Sequence, residues 1–170
     1  MLSNKLVDVI NEQITYELYS AHLYHSMESY ALSKNLTGCA TWLRVQAEEE
    51  KLHARIFMDF LSKTSNRFRI SALEAPPFDF KSIHDAFSIG LEHEKLVTSL
   101  IHKMYGLAVT EKDYASISLL KWFVDEQVEE EANFTDIKGK IELVGETGGI
   151  YILDKELGLR IFVMPTVLPV

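Results

Sequence analysis

The chain has 170 residues, 25 acidic and 17 basic, for a net charge of −8, with 47% hydrophobic and 25% charged residues. That is soluble globular composition, enough for one domain with a real core and tight for two. The acidic balance argues against nucleic acid, which needs a positive field, and is compatible with cations as partners. One cysteine, Cys39, excludes an intramolecular disulfide framework and a Cys-only zinc site, and fits a reducing compartment. The first residues interleave Asn, Asp and Glu with apolar residues, so no secretory leader is expected. The longest apolar run, Ile161 to Val170, has two prolines and about half of the ~20 residues a spanning helix needs. The expectation is a cytoplasmic protein with no membrane partner.

Apolar residues recur at helical spacing through four long segments. The first spans about residues 3–32, with Ser3 a candidate N-cap. The second spans about 37–63, where Thr37 is a candidate cap. The third spans about 81–109, after Pro76-Pro77, and the fourth about 111–143. Each has about 26–32 residues and so a length of about 40–48 Å. Short connections after the first and third make two antiparallel hairpins. Between them, Thr64 to Phe80 has about 17 residues, two prolines and no helical period, long enough at about 50 Å to run back along a bundle. Beyond Gly145 and Gly148-Gly149, residues 150–157 read as a short fifth helix, followed by an apolar tail, 160–170. The expectation is one all-α domain over 1–170: a four-helix bundle of two antiparallel hairpins joined by a long crossover, plus a short C-terminal helix.

Each long helix carries one carboxylate in its apolar stripe. The first reads Ile10, Ile14, Glu17, Ala21, Tyr24. The second reads Leu43, Gln46, Glu50, His53, Phe57. The third reads Phe87, Leu91, Glu94, Val97, Ile101. The fourth reads Leu120, Phe123, Gln127, Glu130, Phe134. Four carboxylates converging at one height in an apolar core need cations, and one or two divalent metals held by O and N donors are the simplest source. Glu50-x-x-His53 and Gln127-x-x-Glu130 each place two such side chains on one helical face.

With these motifs, and with the runs Glu17 to Tyr24, Ala47 to Ala54 and Trp122 to Glu131, the chain resembles the haem-free bacterial ferritins over residues 1–157. Single Glu residues from two helices with Glu-x-x-His from the others is the ligand plan of ferritin-like di-iron proteins, so the match counts as resemblance rather than derivation. The resemblance implies an iron-storage protein with ferroxidase activity. Such a protein oxidises Fe(II) with O2 or hydrogen peroxide and stores ferric oxyhydroxide in a hollow shell of 24 subunits. It implies two iron sites: Glu17, Glu50 and His53 hold the first, and Glu50 bridges to a second completed by Glu94 and Glu130. Gln127 and Tyr24 stand beside the pair, Tyr24 as a possible electron donor. Glu49, Glu126 and Glu129 match a third iron site.

Two departures matter. Gln127-x-x-Glu130 replaces the second Glu-x-x-His, and Lys51 stands where haem-binding relatives place a methionine, so no haem is expected. The tail from Arg160 matches nothing in the resemblance; it could pack inside a shell, line a symmetry-axis channel or stay disordered. Two other classes stay open at the level of sequence. One is a di-iron peroxidase of the rubrerythrin type, whose Cys-rich module one cysteine cannot build. The other is a metal-free bundle in which the Glu/His cluster is a satisfied polar network.

Overall fold

The computed structural model describes residues 2–166 and 169. Its elements, in order, are α1 (Asn4–Ser33), α2 (Thr37–Lys63), α3 (Ile83–Glu111), α4 (Tyr114–Val144), a single π-type turn (Gly145–Gly149) and α5 (Ile150–Leu157). The expected four-helix bundle with a short fifth helix is present, with no strand among the described residues.

Local signals explain most of the boundaries. The Ser3 and Ser82 hydroxyls accept from the Leu6 and Asp85 amides, and the Asp113 carboxylate accepts from Ser116, each capping a helix start. Thr37 does not cap α2; Leu36 holds the N-cap position, without a side-chain hydrogen bond. The second hairpin turns later than its apolar period suggests. Helix α3 runs on to Glu111, Lys112 takes a left-handed conformation (φ 56°), and Asp113 starts α4. A cap and a left-handed residue fix a boundary more sharply than periodicity does. In the first hairpin the left-handed residue is Asn35 (φ 61°).

The crossover, residues 64–82, is pinned along α1. Asn11 accepts from the Arg69 amide at 2.6 Å, Ser26 donates to the Pro77 carbonyl, and Phe80 packs edge-on against Tyr30. These contacts climb α1 from its N-terminal to its C-terminal end, and so deliver α3 antiparallel to α1.

The core is divided. One apolar cluster holds Tyr24, Met27, Trp42, Phe87, Phe134 and, from α5, Ile150, Leu153 and Leu157. The other holds Leu6, Ile10, Ile14, Phe57, Ile101, Leu120 and Phe123. Between them, at the height of Glu17 on α1, lies a layer of buried polar side chains. Helix α5 closes the bundle at the start of α2. The Asp154 carboxylate accepts from the Cys39 amide at 2.8 Å. A Cβ on Gly38 would stand 1.6 Å from the Asp154 carbonyl oxygen, so only glycine permits this approach. Among the described residues no helix is long and apolar enough to cross a membrane.

Candidate metal centre

The polar layer takes one carboxylate from each long helix, with a histidine added from α2. Glu17 (α1), Glu50 and His53 (α2), Glu94 (α3) and Glu130 (α4) are all at most 3% exposed. Each sits a turn away from apolar residues packed above or below it, so the register that builds the core also forces these groups inward. Their ligand atoms converge into three groups: Glu17, Glu50, His53; Glu50, Glu94, Glu130; and His53, Glu126, Glu130. Within each group the atoms lie within 4.8 Å of one another. Glu50 belongs to the first two groups and so stands between two adjacent positions.

The electrostatics are those of a site short of positive charge. Burial, above all, pushes the carboxyls of Glu17, Glu50 and Glu130 well above the usual range; neighbouring carboxylates add to it. Burial also raises Glu94, with hydrogen bonds from Tyr24 and Gln127 opposing. Among the described residues, no Lys or Arg forms an ion pair with these four carboxylates. The nearest positive candidate is His53, whose Nδ1 lies 3.5 Å from Glu50 and 3.9 Å from Glu17. Oxygen donors plus one imidazole, closely spaced and undercompensated, suit divalent transition metals with carboxylate preference.

Several neighbours orient the ligands. Gln13 donates to Glu17 at 2.9 Å, and Gln46 donates to Glu50 at 3.1 Å and Glu130 at 2.6 Å. Tyr24 donates its hydroxyl to Glu94 and is itself fully buried. Its phenol is pushed upward by burial and by Glu94, so it stays protonated as a donor. Gln127 Nε2 lies 3.2 Å from Glu94 Oε2 and 3.3 Å from Thr98 Oγ1. Trp122 meets His53 edge-to-face at 5.7 Å. Gln13 was not singled out in the sequence, and Gln46 was named there only as a member of its stripe, without a role. The signal was there: each stands four residues before the glutamate it serves, on the same helical face.

The other expected residues fall to one side of the layer. Glu49, Glu126 and Glu129 line one cavity of about 380 Å³ between α2 and α4, roofed by the tail. Glu126 is 3.9 Å from His53 Nε2 and joins a ligand group; Glu49 pairs with Arg160. Neither Glu49 nor Glu129 enters a ligand group among the described residues. The tail therefore has a place over this groove as far as Pro165; residues 167, 168 and 170 lie outside the described residues. His93, with no ligand pattern in the sequence, bonds Ser20 at 2.8 Å, and burial lowers its pKa to about 4, which keeps it neutral.

The ferritin-like domain family model matches residues 7–144. A probable bacterial non-heme ferritin-like protein of Haemophilus influenzae is 40% identical over 159 residues, 93% of this chain and 96% of that one. A bacterial non-heme ferritin of Campylobacter jejuni is 39% identical over 156 residues, 91% and 93% of the two chains. Among solved structures, an open pore ferritin of Archaeoglobus fulgidus superposes with a TM-score of 0.92 at 45% identity, over 94% of this chain and 99% of that one.

Proposed function

The chain belongs to the ferritin family, and from that premise we propose that it stores iron by oxidising Fe(II) at the buried carboxylate layer. The observation that carries the reading is the layer itself: four inward glutamates and one histidine, none ion-paired to Lys or Arg among the described residues. Such a set costs too much to keep ionised and empty of cations. Fe(II) is the substrate, and the layer binds two at a time. Glu17, Glu50 and His53 take one, Glu94 and Glu130 the other, and Glu50 bridges.

The residues' roles follow from their chemistry. Hard carboxylates favour Fe(III) over Fe(II) and so lower the cost of losing an electron. Two irons give one electron each. O2 takes two electrons and two protons and leaves as hydrogen peroxide; hydrogen peroxide, as oxidant, takes the same and leaves as two waters. Tyr24 holds Glu94 through its hydroxyl. Gln127 holds Glu94 from the other side. The oxidised iron moves on as ferric oxyhydroxide, past Glu49, Glu126 and Glu129, which form a conditional third position. The protein works in the cytoplasm, without haem, as a closed homo-oligomer of 24 copies, about 460 kDa, since closed symmetry ends growth.

The test is aerobic addition of Fe(II) to iron-free protein, followed by the ferric absorbance. Oxidation no faster than in buffer would sink the reading. Glu50→Ala and His53→Ala are each expected to slow the first phase by more than about tenfold, since each removes a ligand outright. Unchanged fast oxidation in both would remove these residues from the site. A monomer or dimer in light scattering, without metal, would favour a metal-free bundle instead.

A further inference from the structure

Arg160 lies outside all five helices, yet it reaches the metal layer. Helix α5 ends at Leu157, and its anchoring on Gly38 and the Cys39 amide fixes where the following residues start. Two residues past Gly158, the Arg160 side chain enters the groove between α2 and α4. Its guanidinium lies 4.2 Å over the Trp42 ring, donates to Gln46 Oε1 at 2.8 Å, and pairs with Glu49. It is 18% exposed.

Two consequences follow from the bonding. An amide has one oxygen, and Arg160 holds that of Gln46, so the Gln46 NH2 is turned toward Glu50 and Glu130. The second concerns charge. Three carboxylates, Glu49, Glu126 and Glu129, line the cavity beside His53, and Arg160 is the basic side chain lining it with them. A guanidinium is always charged and weakly hydrated, and it stacks well on indole, so it suits a lasting place there.

We propose that Arg160 is the site's own third cation: it fills the charge position that a metal ion would take beside Glu49, and it holds Gln46 toward Glu50 and Glu130. The inference rests on the ferroxidase reading of the layer. It makes the third metal position conditional, open only when the guanidinium leaves and the tail, residues 161–165, lifts with it.

The experiment is calorimetric titration of the iron-free assembled protein with Zn2+, which binds carboxylate and imidazole without redox chemistry. Wild type, Arg160→Ala, Arg160→Lys and the double variant Arg160→Ala/Glu49→Gln are compared. The expected result is two Zn2+ per subunit at the layer in all four, bound less tightly where Arg160 is replaced by Ala and Gln46 loses its hold. A third binds at least about tenfold more tightly in Arg160→Ala than in wild type. Arg160→Lys, which keeps the charge, matches wild type, and the double variant loses the gain. A third Zn2+ bound equally tightly by wild type and Arg160→Ala overturns the proposal. So does a third site absent from Arg160→Ala, or one that survives Glu49→Gln. The first two equivalents test the underlying reading separately: their persistence in Glu50→Ala would defeat that reading whatever the third does.

Discussion

Gln46 and Gln13 do a small task on which the larger chemistry depends. Each places an amide NH2 against a glutamate one helical turn onward, which fixes the carboxylate before a metal arrives. Groups of this kind typically hold 10–100-fold in metal affinity. Gln46→Leu is therefore expected to weaken the two-Zn2+ binding by about tenfold or more while leaving the bundle folded, measured by calorimetry and circular dichroism. The residue scale also holds an inert group. The Cys39 thiol is buried, and burial, with Asp154 close by, pushes it up to about 12. A raised thiol pKa leaves less thiolate at neutral pH. Alkylation by iodoacetamide at pH 8 is expected to be slower in folded than in unfolded protein by about a hundredfold or more. At this scale the buried polar layer was legible in the sequence, because a charged residue in an apolar stripe is an anomaly. Arg160 was not legible. It sits in a segment with no period, and its partners, Gln46 and Glu49, are more than a hundred residues away in sequence.

Elements were legible to within three residues. Thirty-residue helices repeat their apolar period often enough to be unmistakable, as α1 and α2 do. Boundaries went astray where single residues decide them: Leu36 in place of Thr37, and Lys112-Asp113 in place of a turn at 109 to 111. Two close approaches between elements were invisible, because they depend on what a glycine lacks. At Gly90 on α3, a Cβ would come within 2.3 Å of the Phe134 ring, which Tyr24 and Trp42 hold in place. Gly90→Ala is expected to destabilise by about 1–3 kcal/mol, read from chemical denaturation. At Gly38 the obstruction is backbone, the Asp154 carbonyl, which cannot rotate aside. Gly38→Ala is expected to release α5 from α2 with little loss of total helix. Faster proteolysis after residue 149 would report it.

For the whole molecule the layer's proton balance decides how stability varies with pH. A carboxyl whose folded pKa is raised binds its proton more tightly folded than unfolded. Its contribution is full below the ordinary carboxylate range and is lost as pH rises through the folded value. Glu17, Glu50, Glu94 and Glu130 all shift this way. The iron-free protein is therefore expected to lose thermal stability between pH 5 and pH 8. Divalent metal replaces those protons, so the stabilisation by Zn2+ is expected to grow over the same interval. Calorimetric melting at both pH values, with and without Zn2+, checks both signs.

The divided core has a mechanical consequence. The layer's side chains come from both hairpins, Glu17, Glu50 and His53 from the first and Glu94 and Glu130 from the second, and the layer lies between two dry halves. Without cargo, that plane holds mutually repelling or protonated acids, and the contact between the two hairpins is expected to be weakest there. With cargo, the metals rivet one hairpin to the other across it. Uptake of iron then stiffens each subunit at mid-height, and amide exchange around residues 17, 50, 94 and 130 becomes a gauge of how full the site is.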